Sequence, residues 1–221
     1  MYKFEPLKIR AYLQTPVVSD QYLPLDGILF NHFVRDNFGV QIATKSRQGD
    51  AAIWTDKLLP FAKRNGISKN DWYYACSFAI WSACVLRGTM EYAKRFDTHL
   101  AVDYADFGKK KAKVDTSRGE QKNYFIKEYT FNAEYVEWYC VGDKKEIELL
   151  LPFCTHVGKK SAQGAGAVFK WEVESTQFDW SVNDADGKLM RAIPSPESNF
   201  VYGIRPSYWH PQNQTRVLMP N

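Results

Sequence analysis

Three glycines lie close together where a helical pattern gives way to a β-strand pattern in the second half of this chain. The stretch reads HVGKKSAQGAGAVFKWEVE and covers residues 156–174, with Gly158, Gly164 and Gly166 inside it. Glycine adopts positive φ angles at little cost and lets another backbone approach closely. The stretch therefore predicts a tight turn between a helix and a strand, and this turn limits the folds that are open to the chain.

The polar residues of this glycine-rich loop suit contact with an anion. Lys159 and Lys160 add two positive charges, and Ser161 and Gln163 add neutral hydrogen-bonding groups. Backbone N–H groups in such loops can also bind phosphate. Neither the GxGxxG dinucleotide pattern nor the GxxxxGK[ST] pattern of P-loops is present, so those nucleotide-binding folds are not indicated. Taken alone, a glycine-rich turn of this kind is structural more often than functional.

Periodicity in the first half of the chain predicts two strands and a helix. Residues 7–15 are rich in β-formers and end at Pro16, and apolar side chains recur at helical spacing from Pro24 to a stop at Gly39. Residues 71–83 alternate in phase, which favours a strand over a buried helix. Two other segments are ambiguous: a short helix fits residues 57–64, and residues 88–105 fit either further strand pairing or a helix around 90–96.

The second half predicts strands at 123–129, 133–141 and 168–173, and a helix at 146–155. The tail, 175–221, holds five of the ten prolines and is expected to have little regular structure. The order of these elements fits an α+β fold built from ferredoxin-like β-α-β units.

Composition fits a soluble globular protein. The 221 residues are 45% hydrophobic and 15% aromatic, enough for one large domain or two small ones. No apolar run approaches the length of a membrane span, and no apolar segment follows the N-terminal charges as in a secretory signal. A cytoplasmic protein without a membrane partner is therefore expected.

Positive charge is concentrated in one segment, although the formal net charge is only +4. Between residues 107 and 127, two acidic residues accompany a larger set of basic ones: Lys109, Lys110, Lys111, Lys113, Arg118, Lys122 and Lys127. Such a segment can bind phosphates and release counterions, or it can be a solvated surface loop. Tyr124 and Tyr129 lie at its end and are candidates for stacking on RNA bases.

No motif for a metal site or a serine nucleophile stands out. The four cysteines form no CxxC pair, and Cys154 with His156 is weak evidence for zinc. Cys76 and Cys84 fall in an apolar stretch and are expected to be small core residues. The acidic residues lack the ligand pattern of a nuclease or a calcium loop, and no G-x-S-x-G segment is present.

Histidine is the side chain most often used for general acid–base catalysis. His32 falls within the apolar stripe of the first helix, so a core position is expected. His99 has lysines near it in the sequence and is the best candidate for an RNA-cleaving site, although a binding role is commoner for such a residue. His156 precedes the glycine-rich loop, where it can contact a phosphate or cap the preceding helix. His210 is expected to pack within the tail.

In its context, the glycine-rich loop resembles the C-terminal motif of the RAMP superfamily of CRISPR proteins. In that motif a helix ends in an apolar-Gly-Lys-Lys segment that passes through a G-x-G loop into a strand. The match is carried by Val157, Gly158, Lys159, Lys160, Ser161, Gln163, Gly164, Gly166 and Val168. Two other segments, PLDGILFNHFV (24–34) and GIRPSYW (203–209), resemble parts of the type IV (Csf) counterpart of the Cas-five subunit.

The resemblance implies one ferredoxin-like (RRM-like) α+β domain over residues 1–221, with a basic loop or β-rich hairpin insertion at about 105–122 and an irregular tail. It implies a subunit without catalysis or cofactor that grips the 5′ repeat-derived handle of the guide RNA. Such a subunit caps the backbone filament, contacts the backbone and large subunits, and meets target nucleic acid indirectly. The expected RNA-binding residues are Gly158, Lys159, Lys160, Ser161, Gln163, Gly164, Gly166, Lys109, Lys110, Lys111, Lys113, Arg118, Lys122 and Tyr124.

Two other interpretations of the sequence stay open. One is a metal-independent endoribonuclease of the same superfamily that cuts repeat RNA with His99. The other is an unrelated globular binding module in which the glycine-rich turn is only structural.

Overall fold

The computed structural model describes residues 2–38, 59–68, 70–97, 100–101 and 115–220. Across these residues the protein is a β-rich α+β fold with twelve strands and two α-helices that are described over their full length. The helices are α1 (Leu25–Phe38) and α2 (Lys144–Leu150). The strands are β1 (Phe4–Leu13), β2 (Val17–Val18), β3 (Lys63–Arg64), β4 (Tyr73–Tyr74), β5 (Ile80–Trp81), β6 (Leu86–Lys94), β7 (Tyr124–Asn132), β8 (Tyr135–Asp143), β9 (Val168–Ser175), β10 (Ile193–Pro194), β11 (Val201–Gly203) and β12 (Gln214–Leu218).

A four-stranded sheet in the order β5-β8-β1-β9 forms the centre of the molecule, and all its neighbouring strands are antiparallel. Side chains alternate across it, so that Leu7, Ile9 and Ala11 of β1 lie on one face and are fully buried. Trp138 of β8 lies opposite Ile9 and is buried on the same face. Apolar residues of both helices belong to this core, so α1 and α2 cover one side of the sheet.

Both helices begin where the sequence supplies a start signal. Pro24 precedes α1, and its carbonyl accepts the first helical hydrogen bond from the N–H of Ile28 at 3.3 Å. The helix predicted here is confirmed. Asp143 caps α2 by accepting a bond from a first-turn N–H. α2 begins before the predicted position and ends at Leu150, followed by a 3₁₀ turn, because Pro152 has no N–H to continue the helix.

β6 and β7 form a long antiparallel hairpin in which nine residues of each strand are paired, and β2 pairs along the outside of β7. The strand alternative for residues 88–94 is confirmed, and a helix around 90–96 is wrong there. The segment 95–123, which joins the two strands, contains all the basic residues noted between residues 107 and 127 except Lys127. Five predicted functional residues of this segment lie outside the described residues: His99, Lys109, Lys110, Lys111 and Lys113.

Residues 71–83 do not form the single strand that their alternation predicts. They contain two short strands, β4 and β5, with an isolated bridge from Cys76 to Cys140 between them. Every residue from 73 to 78 is buried, because this segment is covered on both sides. The helix predicted at 57–64 is wrong for its described part, where Lys63–Arg64 is a strand paired with β4.

The tail is more regular than its prolines suggest. It contains a three-stranded sheet in the order β10-β12-β11, which packs on a second apolar core, so the expectation of an irregular tail is wrong for these strands. Arg191 is fully buried, and its guanidinium donates hydrogen bonds to the carbonyl oxygens of Tyr74, Cys76 and Ile204. Because buried polar groups need partners, these bonds anchor the tail to the segment around β4.

Candidate nucleic-acid interface

The glycine-rich loop is fixed against the short strand β2 and its preceding turn. The N–H of Lys159 donates to the Val18 carbonyl at 2.7 Å, and the N–H of Gly166 donates to the Pro16 carbonyl at 2.9 Å. Within the loop, the N–H of Val157 donates to the Gly166 carbonyl at 2.8 Å. These bonds close the loop at its base, so its backbone is ordered by the protein itself.

The three loop glycines all have positive φ, as predicted, but they differ in how closely other atoms surround them. At Gly158 (φ +82°) an added Cβ would lie 2.6 Å from the Val18 carbonyl oxygen. At the buried Gly166 (φ +70°) it would overlap the Val157 carbonyl oxygen. At the exposed Gly164 (φ +82°) it would meet nothing within 4 Å. Gly158 and Gly166 therefore allow the loop backbone to pack closely against its neighbours. Gly164 instead faces open space, where a ligand can approach.

The two loop lysines point to different neighbours. The backbone of Lys160 is left-handed (φ +64°), and its Nζ lies 4.8 Å from the centre of the Tyr92 ring on β6. Lys159 is exposed and lines a cavity beside the loop. Ser161 and Gln163 form a 3₁₀ turn between the two left-handed residues Lys160 and Gly164. The loop thus contacts the hairpin through Lys160 and presents Lys159 to the cavity.

This cavity, which we call the loop cavity, has a volume of about 440 Å³ and lies between the glycine-rich loop, the β2–α1 connection and α1. The α1 wall includes Asn31 and His32, and the connection contributes Asp20 and Tyr22. His32 is half-buried and faces this cavity, so the core position predicted for it is wrong. His32 lies on the same side of α1 as Ile28, which also lines the cavity, so a position close to the apolar stripe does not bury its side chain.

His156 lines the same cavity from the opposite side. Its Nδ1 lies 3.0 Å from Oγ1 of Thr155, and its backbone forms a bridge with Ala167 across the base of the loop. Both histidines that the sequence placed near α1 and the loop are therefore brought to one cavity. Sequence reasoning missed Asn31 as a cavity residue, although its spacing of four from Gly27 puts both on one face of α1.

The hairpin adds an aromatic surface next to the loop. Tyr124 and Tyr129 are 44% and 75% exposed, so both can reach a ligand. A second, largely apolar cleft lies between this hairpin and the β2–α1 connection, and Tyr129 lines it with Arg87. Asp20 borders both clefts, which makes them neighbours on one side of the molecule.

Two predicted RNA-binding residues flank the hairpin strand β7. Lys122 is exposed, and its N–H donates to the Gly119 carbonyl in a turn. Arg118 is also exposed, and its Nε lies 2.7 Å from the Asp115 carboxylate. Because this local ion pair already engages Arg118, Lys122 is the more available cation of the two.

The face of the central sheet away from the helices has a different character. It carries a row of ion pairs in which each base is matched by an acid: Lys8–Glu174 at 2.5 Å, Arg10–Glu137 at 2.9 Å and Lys170–Glu172. The matched carboxylates oppose the approach of a phosphate backbone. Lys159 of the glycine-rich loop lies beside a cavity instead, so the two sides of the molecule differ in how their lysines are paired.

The described residues show no arrangement suited to a metal ion. Within them, no three His, Cys, Asp or Glu side chains are grouped as ligands. Cys76 is buried as predicted, but Cys84 is exposed, so its predicted core position is wrong. No helix in the described ranges is long and apolar enough to cross a bilayer.

A match to a known protein family covers nearly the whole chain. A family model described as "CRISPR type IV associated protein Csf3" matches residues 5–220. The chain belongs to the Csf3 family. This confirms the type IV CRISPR identity expected from the sequence, and the protein is a type IV CRISPR associated protein.

Other comparisons with this Csf3 protein are more distant. No curated protein matches it significantly. Among solved structures, a chain of the cryo-EM structure of the Type III-B Cmr-beta bound to cognate target RNA is similar to it, with 12% identity and a TM-score of 0.41. The match covers 78% of this chain and 61% of the Cmr-beta chain, so it spans less than two thirds of that chain's length.

The two shorter segments that resemble the type IV group meet in space. Asp26, at the start of α1, is fully buried, and its two carboxylate oxygens accept hydrogen bonds from the Tyr208 hydroxyl at 2.7 and 2.9 Å. Burial raises the pKa of Asp26, and the bond from Tyr208 opposes that rise. In the same tail segment, the buried Arg205 donates to the carbonyl oxygens of Asn70 and Trp72. The residues behind this part of the resemblance are therefore structural anchors beside the loop cavity.

Proposed function

We propose that this Csf3-family chain is a non-catalytic RNA-binding subunit of a type IV CRISPR effector complex. In this role it binds the 5′ repeat-derived handle of the guide RNA, caps the backbone filament, contacts the backbone and large subunits, and meets target nucleic acid through the guide. Family membership supports the CRISPR assignment. The observation that supports RNA binding most directly is the ordered glycine-rich loop, which presents Lys159 to a nucleotide-sized cavity and leaves Gly164 open to approach.

The order of elements supports a ferredoxin-like core for this subunit. β1, α1, β5, β8, α2 and β9 follow one another as strand, helix, strand, strand, helix, strand, with the fourth strand beside the first in the sheet order β5-β8-β1-β9. The hairpin β6–β7 is inserted between β5 and β8. In this assignment the glycine-rich loop connects the second helix to the last strand, and the hairpin carries the basic segment.

The distribution of charge supports the loop side of the molecule as the RNA surface. Lys159 lines the loop cavity, whereas Lys170 on the opposite sheet face is paired with Glu172. A phosphate gains most from a cation that no carboxylate already neutralises. RNA bound along the loop also lies next to the exposed Tyr129, which can stack on a base.

A repeat endoribonuclease is the second candidate, and one observation favours it. His32 and His156 line the same cavity next to Lys159. Two imidazoles on opposite sides of a bound phosphodiester can act as general base and general acid in attack by the 2′-hydroxyl. Cleavage of RNA by this route would identify these histidines, rather than His99, as its source.

One binding experiment tests both candidates. The purified full chain is titrated into labelled repeat RNA in EDTA, and bound RNA and cleaved RNA are measured separately. Retention of intact RNA is expected, together with protection of the 5′ handle from added nuclease. Specific cleavage that is lost in His32→Ala or His156→Ala identifies the nuclease instead. Absence of both binding and cleavage refutes an RNA function for the chain.

A further inference from the structure

The loop cavity combines features that suit a single nucleotide. Its volume of about 440 Å³ lies within the usual range for small-molecule sites, about 300–1,000 Å³. Its wall combines apolar residues, among them Leu23, Pro24 and Ile28, with polar ones, among them Asn31 and Ser161. A nucleobase has the same combination, because its faces are apolar and its edges carry hydrogen-bonding groups.

The charges of the cavity match one phosphate group. Of the residues that line it, Lys159 is the one ammonium and Asp20 the one carboxylate. A single backbone phosphate carries one negative charge, which Lys159 can neutralise. A free nucleoside triphosphate brings about four negative charges, and Asp20 would repel the excess. The site therefore suits a nucleotide within an RNA strand better than a free triphosphate.

The walls are held in place before any ligand arrives. The Tyr22 ring packs against the Phe78 ring, with 5.3 Å between the ring centroids. The backbone N–H of Tyr22 donates to the Asp20 carboxylate at 3.0 Å. On the α1 side, the Asp26–Tyr208 hydrogen bonds fix the first turn of the helix, which contributes Gly27 to the cavity. A preorganised pocket loses little conformational entropy when it binds. The cavity opens to the surface, since Asn31 and Lys159 are both exposed.

We propose that the loop cavity receives one nucleotide of the bound RNA, whose base is turned out of the strand. Its base contacts the apolar and the polar residues of the wall, and its phosphate lies at Lys159. This inference rests on the proposed RNA-binding function and adds to it a defined pocket that fixes the register of the strand.

A base-deletion scan tests the pocket. A series of repeat-derived 5′-handle RNAs, each with one abasic position, is titrated against the full-length wild type and Asn31→Trp. The indole at residue 31 fills the cavity from an exposed position of α1. Wild type is expected to bind one abasic RNA about tenfold more weakly than intact RNA, the effect of losing one stacked base. Asn31→Trp is expected to bind intact RNA about tenfold more weakly than wild type does, because its pocket is filled. Its affinity for the abasic RNA that wild type binds weakly should be the same as its affinity for intact RNA.

Two variants control for the added ring. Ala162→Trp fills the cavity from the loop side and should reproduce the pattern, which guards against a folding defect specific to α1. Leu149→Trp adds the same ring at an exposed position of α2 that does not line the cavity, and it should behave as wild type.

The possible outcomes separate the pocket from the proposed function. The pocket is refuted, with RNA binding intact, if the abasic position weakens the affinity of wild type and of both cavity variants by the same factor. It is also refuted if no single abasic position weakens binding by wild type more than the others do. Failure of wild type to bind every RNA in the series refutes the proposed function, and the pocket with it.

Discussion

Replacement of Lys159 by alanine gives the sharpest test of the glycine-rich loop. Lys159 and Lys160 are adjacent and carry the same charge, but Lys160 Nζ lies 4.8 Å from the centre of the Tyr92 ring, whereas Lys159 is exposed beside the cavity. We expect Lys159→Ala to remove a phosphate contact. We expect Lys160→Ala to affect mainly the packing of the loop on the hairpin, at a cost of about 0.5–1 kcal/mol in unfolding free energy.

The salt dependence of binding gives the expected size of this effect. Each phosphate contact with single-stranded nucleic acid contributes about 0.7 to the slope of log K against log salt concentration. Loss of one contact therefore lowers the slope of Lys159→Ala by about 0.7. Between 50 and 200 mM salt, a fourfold change, wild-type affinity should fall about 2.6-fold more than that of the variant.

The assay is fluorescence anisotropy with labelled handle RNA at four or more salt concentrations. Lys170→Ala is the matched control, because Lys170 is also an exposed lysine but pairs with Glu172 on the opposite sheet face. Its slope should equal that of wild type. An unchanged slope for Lys159→Ala, or an equal decrease for Lys170→Ala, would show that RNA is not held at the loop.

Three further results are expected. Gly164→Ala should lower the free energy of unfolding by about 1–2 kcal/mol, because alanine is strained at this left-handed position. Gly166→Ala should lower it further, because the added Cβ also overlaps the Val157 carbonyl oxygen. Equal losses of the two variants in chemical denaturation would contradict this ranking. Burial raises the pKa of Asp26 above 3.8, so the folded state binds a proton more tightly than the unfolded state does. In urea titrations, the free energy of unfolding of wild type relative to Asp26→Asn should therefore rise as the pH falls from neutral toward 3.8. A difference that does not change with pH would contradict the raised pKa. Tyr129→Ala should weaken RNA binding by about 1–3 kcal/mol without changing Tm if the ring stacks on a base, and unchanged affinity would exclude that contact.

The elements that could be predicted are those in which local pattern and burial agree. β1 alternates buried and half-buried residues, and α1 follows Pro24 with an apolar stripe, so each was visible from the sequence. The segment 73–78 was harder, because its alternation indicates one half-buried strand, whereas in the fold the segment is covered on both sides and only Tyr73–Tyr74 of it forms a strand. The tail strands are two to five residues long and depend on the buried Arg191, a residue type normally found on surfaces.

The candidate site was predicted in part for a similar reason. The loop and its lysines are contiguous in the chain, so composition and glycine spacing marked them. The cavity joins Tyr22 and Asn31 to His156, residues more than a hundred positions apart, and no local pattern shows that they meet. The antiparallel position of β9 beside β1 brings them together.

The position of β1 has a consequence for the order of biosynthesis. β1 is made long before its two sheet partners, which are residues 135–143 and 168–175. On the ribosome, β1 therefore lacks its first partner until residue 143 has emerged and its second until residue 175 has emerged, and its open edges need protection from aggregation over that interval. The loop cavity takes its walls from residues 19–32 and 155–162, so it too is complete only late in synthesis.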